Sequence, residues 1–140
     1  MKIQILPLVT GAQKATGLTV IIDVFRAFSL EAYMYTSGAK KVIPVKTVED
    51  ALTLKKENPS YILVGERKGI KVEGFDYGNS PSEFVGVDLS GKTLIHTTSA
   101  GVLGLASAVS ASQIVTGALV NAKATAKYIL EQNPEVVSIV

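Results

Sequence analysis

The sequence predicts an α/β fold: three layers, α/β/α, with helices on both faces of a largely parallel sheet. Three observations lead there. Apolar runs of strand length recur along the chain with helix-patterned segments between them, the spacing that yields right-handed βαβ units. Most of these runs are continuous rather than alternating, as in strands buried on both faces. The 140 residues are 47% apolar with a mean hydropathy of +0.33, high for a chain that also carries 14 lysines and arginines and 12 acids. This length fits one domain with its own core, so residues 1–140 are read as a single domain.

Taken in order, residues 3–9 read as a strand and 10–16 as a loop. Residues 18–22 are a run rich in β-branched side chains that ends at Asp23. Residues 27–36 make a helix, closed by Gly38, which suits the left-handed position after a last turn. Residues 42–45 are a strand. Thr47-Val48-Glu49-Asp50 resembles a capping box and opens a helix to Asn58, stopped by Pro59. Further strands fall at 61–64, 93–96 and 113–116. Ser80-Pro81-Ser82-Glu83 reads as a helix start, with Ser80 as N-cap, Pro81 first in the helix and Glu83 third. The small residues of 100–108 make a tightly packed helix, and Asn121 caps another to Gln132 before Pro134. Residues 135–140 are a last apolar strand. Phe25, Phe28, Tyr33 and Tyr35 are assigned to the core. Residues 136–140 are expected to be an apolar strand covered by another chain, and the sequence to be the N-terminal portion of a longer protein.

Composition narrows the function classes. A net charge of +2 without a basic cluster gives no electrostatic case for nucleic acid. No apolar stretch approaches the roughly 20 residues of a membrane-spanning helix. There is no cysteine, hence no disulfide or thiol chemistry, which fits a cytoplasmic protein. The lone His96 cannot build a multi-histidine metal site and reads as a hydrogen-bonded structural residue.

Polar groups follow several of the apolar runs: Asp23, Glu66-Arg67, Thr97-Thr98-Ser99 and residues 117–121. In a parallel sheet these share one edge, the edge where ligands gather. Residues 65–84 are the densest such segment. A strand feeds into Glu66 and Arg67, a glycine-rich loop carries Asp76 and Asn79, and a helix start follows at Ser80. Exposed N–H groups at a helix start suit a phosphate, and the acids and the arginine suit a metal and an oxyanion.

Four segments, in order, resemble the 2-phosphosulfolactate phosphatase family. Asp23-Val24-Phe25-Arg26-Ala27-Phe28-Ser29 resembles its Asp-Val-Leu-Arg-Ala-Thr-Ser. Gly65-Glu66-Arg67 and Gly74-Phe75-Asp76-Tyr77-Gly78-Asn79-Ser80-Pro81 follow its Gly-Glu-Arg and Gly-Phe-Asp-Leu-Gly-Asn-Ser-Pro. Thr97-Thr98-Ser99-Ala100-Gly101 is similar to its Thr-Thr-Thr-Asn-Gly, and Gly117-Ala118-Leu119-Val120-Asn121-Ala122 to its Gly-Ser-Phe-Leu-Asn-Ala. Phe28 and Ala100 stand where the family has threonine and asparagine, and Val102 and Leu103 where it usually has threonine and arginine.

The resemblance implies a magnesium-dependent acid phosphatase linked to coenzyme M biosynthesis, acting on a small acidic phosphate monoester. Such chemistry needs oxygen ligands for Mg2+ and cationic or N–H donors for the phosphoryl oxygens. Asp23 is then a magnesium ligand or nucleophile, or otherwise a helix cap. Glu66 and Asp76 are candidate metal ligands, with a turn-forming role open for Asp76. Arg26 and Arg67 would clamp phosphoryl oxygens, or form ion pairs with Asp23 and Glu66. Ser29, Asn79, Ser80, Thr97, Thr98, Ser99, Gly101 and Asn121 are candidate substrate contacts, with capping the alternative for Asn79 and Ser80. Expected partners are the phosphoester itself and a second copy of the chain or the C-terminal part of a longer one. The function alternative is a non-catalytic anion- or metabolite-binding domain on the same scaffold.

Overall fold

The structure, a computed structural model, describes residues 1–140. Its elements run β1 (Lys2–Ile5), α1 (Leu8–Ala12), β2 (Gly17–Ile22), α2 (Ala27–Thr36), β3 (Lys41–Pro44), α3 (Val48–Glu57), β4 (Ile62–Arg67), β5 (Ile70–Lys71), β6 (Thr93–Thr97), α4 (Gly101–Ser107), β7 (Ala111–Gly117), α5 (Ala122–Gln132) and β8 (Val136–Ile139), with 3-10 turns at Pro81–Phe84 and Leu119–Asn121.

The α/β class and the parallel pairing hold, but no single sheet forms. One sheet has the order β1-β8-β2-β7 and is wholly parallel. The other has the order β3-β6-β4-β5, parallel except for the short β5. Helix α2 packs against both. Ala27 and Phe28 join Ile21 of β2 in one core cluster, while Leu30 and Met34 join Val64 of β4 and Leu94 of β6 in another. A helix apolar on several sides must be enclosed. The run from Ala27 to Glu31 is buried throughout, so the helix lies among packed elements instead of on a surface. Helix α3 covers the second sheet through Ala51, against Leu63 and Ile95. Tyr128 and Ile129 of α5 cover the first, against Leu18, Val20 and Val137.

Several boundaries move, each for a local reason. The first strand ends at Ile5 because Pro7 has no N–H for a ladder, and α1 occupies part of the expected loop. The strand expected at 61–64 continues to Arg67 because Lys68 and Gly69, with φ of 54° and 79°, turn the chain back into β5. Two positive φ values between Arg67 and its partner Ile70 suit a tight two-residue hairpin. The helix expected from Ser80 is only one 3-10 turn. Thr47 caps α3 as expected, its hydroxyl accepting from the Asp50 N–H at 3.0 Å. Phe28 is core, but Phe25, Tyr33 and Tyr35 are not; Phe25 is 91% exposed. Residues 136–139 do not form an edge strand either. β8 lies between β1 and β2, covered by its own chain, so no outside partner is needed there.

Register sets the site. Ile22 of β2 is level with Gly117 of β7, and Gly65 of β4 with Thr97 of β6. Asp23, Glu66 and Thr98 therefore all stand at carboxyl ends of parallel strands, two from the second sheet and one from the first.

Candidate active site

Asp23 is the first residue past β2, with its N–H donated to the Gly117 carbonyl at 3.1 Å. The start of α4 comes close to it: a Cβ built on Gly101 would lie 2.9 Å from Asp23 Oδ2 and 3.0 Å from Ala27 Cβ. Burial pushes the Asp23 carboxyl above its usual range. The Ala27 N–H and the charge of His96 act against this, and the carboxylates of Glu66 and Glu31 add to it.

Glu66 belongs to the other sheet and is 7% exposed. Burial alone would raise its pKa, but the sum of its partners lowers it. Its carboxylate accepts from the N–H of Gly69 at 2.7 Å, the N–H of Ser99 at 2.7 Å and the Ser99 hydroxyl at 3.2 Å, with Arg67 nearby. Hydrogen bonds to the charged form favour it. Glu66 thereby ties the β4–β5 turn to the loop after β6.

The two carboxylates line one cavity of about 240 Å3, together with Arg26, Asn79, Thr98 and Ser99; Phe25, Lys68, Gly69 and Ala100 complete its wall. Six of the site residues expected from sequence thus meet. Behind them runs a buried polar chain. Glu31 Oε1 lies 3.1 Å from His96 Nδ1, and His96 Nε2 lies 3.2 Å from Asn79 Oδ1. His96 is structural, as expected, while Glu31 had no sequence signal beyond being an acid in an apolar helix. Thr98 Oγ1 is buried and has no hydrogen-bond partner.

Arg67 lines a neighbouring cavity of about 460 Å3, with Lys46, Val102 and Leu103; Lys68, Thr98 and Ser99 are shared between the two. Its guanidinium donates to the carbonyls of Glu66 and Lys46 at 2.7 and 3.1 Å and to Thr97 Oγ1 at 2.8 Å. No ion pair forms between Arg67 and Glu66 or between Arg26 and Asp23. Lys46 carried the same signal as the other site residues, a polar group following an apolar strand. Lys68 lies in the glycine-rich segment singled out from sequence.

The remaining expected residues are occupied elsewhere. Asp76 sits at the opposite end of β4, accepting from the Leu63 N–H at 2.7 Å and lying 3.9 Å from Lys55 Nζ. It cannot join Asp23 and Glu66, and no cluster of three or more acidic, histidine or cysteine side chains is present. Near Ser80, Glu83 already takes the N–H groups of Gly78 and Ser80, at 3.0 and 3.3 Å, so these two donors are not free for an anion. Ser29 donates to the Val24 carbonyl at 2.7 Å, holding the Asp23 turn from behind. Thr97 orients Arg67. Gly101 gives Asp23 room. Asn121 does not cap α5; its amide accepts from the Ala118 N–H and donates to the Thr116 carbonyl, at 2.7 and 3.1 Å.

The family model for 2-phosphosulpholactate phosphatase matches residues 5–140. The chain belongs to the 2-phosphosulfolactate phosphatase family. It is 47% identical to a "Probable 2-phosphosulfolactate phosphatase" of Carboxydothermus hydrogenoformans over 84% of this chain and 49% of the relative. Proteins of the same name from Caldanaerobacter subterraneus subsp. tengcongensis and Bacillus subtilis are 42% and 38% identical, over 86% and 88% of this chain and 51% and 55% of theirs. The chain spans about half the length of these curated relatives.

The family resemblance implies magnesium, and the donor set suits it. Hard oxygen donors dominate the wall: the Asp23 carboxylate, the unpaired Thr98 hydroxyl and the remaining lone-pair capacity of Glu66, three of whose sites are used. Mg2+ commonly takes one or two carboxylates and completes its shell with water and phosphate.

Proposed function

We propose that the chain contributes the active site for magnesium-dependent hydrolysis of a small acidic phosphate monoester, with water and ester giving alcohol and inorganic phosphate. One observation carries this reading: Asp23, Glu66, Arg26 and the unpaired Thr98 hydroxyl line a single cavity where strands of both sheets end. Asp23 and Glu66 would hold magnesium, which when bound polarises a phosphoryl oxygen. Arg26 binds phosphoryl oxygens through its forked guanidinium. The Thr98 hydroxyl donates to a further oxygen, and Asn79 offers its amide from the opposite wall. Arg67 contributes positive potential from the neighbouring cavity. The names of the relatives support phosphosulfolactate as the first substrate to assay. The reaction is assigned to the cytoplasm; no helix is long and apolar enough to cross a membrane. A second copy, or the remaining half of the family fold, is proposed to complete the enzyme.

A second reading, a non-catalytic anion-binding domain, is favoured by the three hydrogen bonds that already engage Glu66. Steady-state assays with phosphosulfolactate, with and without Mg2+, separate the two. The phosphatase reading expects Mg2+-dependent release of phosphate, and Asp23→Asn should lower turnover at least about a hundredfold while weakening Mg2+ activation. Unchanged rate and Mg2+ dependence in Asp23→Asn would make Asp23 a helix cap. Phosphate-ester binding without turnover would establish the binding-domain reading.

A further inference from the structure

A buried polar chain stands behind the Asp23 cavity. It joins Glu31 of α2, His96 of β6 and Asn79 of the loop after β5, which are 6%, 0% and 7% exposed. Glu31 Oε1 lies 3.1 Å from His96 Nδ1, and Asn79 Oδ1 lies 3.2 Å from His96 Nε2, so the ring faces an oxygen on each side. An amide oxygen only accepts, so Nε2 bears the hydrogen of that contact. One further proton lies between Nδ1 and the Glu31 carboxylate, and whichever of the two carries it, the pair has no net charge. Burial favours this arrangement, because an ionised glutamate beside a neutral ring would leave an unbalanced charge in the interior. Asn79 is pinned along its backbone on both sides. Tyr77 exchanges two hydrogen bonds of 3.1 Å with β4, and the N–H groups of Gly78 and Ser80 donate to Glu83 at 3.0 and 3.3 Å. What remains to be fixed is a half-turn of the side-chain amide, which would exchange its donor end for its acceptor end. His96 fixes it by holding Oδ1. The Nδ2 end has no protein partner, and it is not sealed off, since the buried side-chain polar atom without a partner is Thr98 Oγ1. Asn79 lines the cavity shared by Asp23, Arg26 and Thr98.

We propose that His96, its ring held by Glu31, is a positioning residue: it turns the Asn79 amide so that Nδ2 donates to an anionic oxygen in the cavity. This rests on the reading of the Asp23 cavity as the phosphoryl site and adds the group that aims one of its donors. His96 touches no ligand itself and acts only through Asn79. With the amide turned over, a carbonyl oxygen would face the anion. The site would then lose a hydrogen bond to a charged acceptor and gain a repulsive contact in its place.

The test is NMR on the whole isotope-labelled chain, with inorganic phosphate as the probe. A scalar coupling between His96 Nε2 and Asn79 Cγ should pass through their hydrogen bond. A nitrogen–nitrogen coupling between His96 Nε2 and Asn79 Nδ2 would show the amide turned over, and overturns the proposal. The Asn79 side-chain NH2 signals should shift as phosphate is added. A double-mutant cycle on the phosphate dissociation constant then separates positioning from general support of the fold. Asn79→Ala should weaken phosphate about tenfold, His96→Phe by a similar factor, and the two together no more than Asn79→Ala alone. Losses that multiply mean that His96 reaches the cavity by another route, and overturn the proposal. Should His96→Phe fail to fold, the couplings and shifts of the unaltered chain decide. Phosphate shifts at Thr98 and Ser99 with a silent Asn79 overturn the proposal while leaving the phosphoryl site standing. Silence throughout the cavity removes the phosphoryl reading and the Asn79 donor together.

Discussion

Asp23 and Glu66 face the same cavity from different sheets, and their surroundings treat them oppositely. Around Glu66 the backbone converges: two N–H groups and a hydroxyl meet its carboxylate, and its pKa falls despite burial. Around Asp23 burial dominates, and its pKa rises. A carboxylate that already accepts three hydrogen bonds stabilises the fold while keeping some capacity for a cation. One left short of them is costly to charge and gains most when a cation or a proton arrives. Under the proposed function the two acids divide the work, Glu66 shaping the cavity and Asp23 gaining most from a bound cation.

The largest effect should come from removing the shaping acid. Glu66→Ala leaves the Gly69 and Ser99 donors without their acceptor, and should cost about 2–3 kcal/mol in urea unfolding at neutral pH. The pH dependence follows from the lowered pKa. The stabilisation is present above the ordinary glutamate range and lost as pH falls through the folded-state value, so the gap between wild type and Glu66→Gln should narrow in acid. A gap that widens in acid would break the comparison.

Asp76 sharpens it from the far end of the same strand. Asp76→Ala removes the acceptor for the Leu63 N–H and should cost about 1 kcal/mol. It should not change Mg2+ activation or ester affinity, because the carboxylate lies outside both cavities. A loss of Mg2+ activation would return Asp76 to the metal site.

The smallest effect has the opposite sign. Since burial raises the Asp23 pKa, ionising it costs stability, in full above the raised folded-state value, and that cost shrinks as pH falls through that value and is gone below the ordinary aspartate range. Asp23→Asn should therefore stabilise the ligand-free chain by about 0.5–1 kcal/mol at neutral pH, measured by thermal melting without metal. A lower melting temperature would mean that Asp23, like Glu66, is a structural acceptor.

Much of this was legible in the sequence where local chemistry decides. Continuous apolar runs located all the longer strands, and the Thr47 cap opened α3 where expected. The polar residue after each strand marked Asp23, Glu66, Thr98 and Ser99 as neighbours, because parallel strands bring their ends together. The errors arose where a residue's partner lies far along the chain. Asp76 sits in the same motif as Asn79, yet only Asn79 reaches the cavity, since the chain between them passes from one end of β4 to the other. Ser80 reads as an anion site until Glu83 takes its donors. The division into two sheets had no local signature, because it depends on α2 serving two cores at once.

The place of β8 has a consequence for how the molecule is made. The second sheet is assembled from residues 41–97, all available early in synthesis, so it can close while the ribosome is still working. The first sheet cannot. Its strand β1 pairs only with β8, so the opening residues of the chain wait, unpaired, until residues 136–139 have emerged. Pairings so distant in sequence form slowly. Ile3 and Ile5 are exposed even in the finished fold, so during that interval they form a short apolar, unpaired segment of nascent chain. Asp23 lies in the late sheet and Glu66 in the early one, so the shaping acid is in position before the acid it serves.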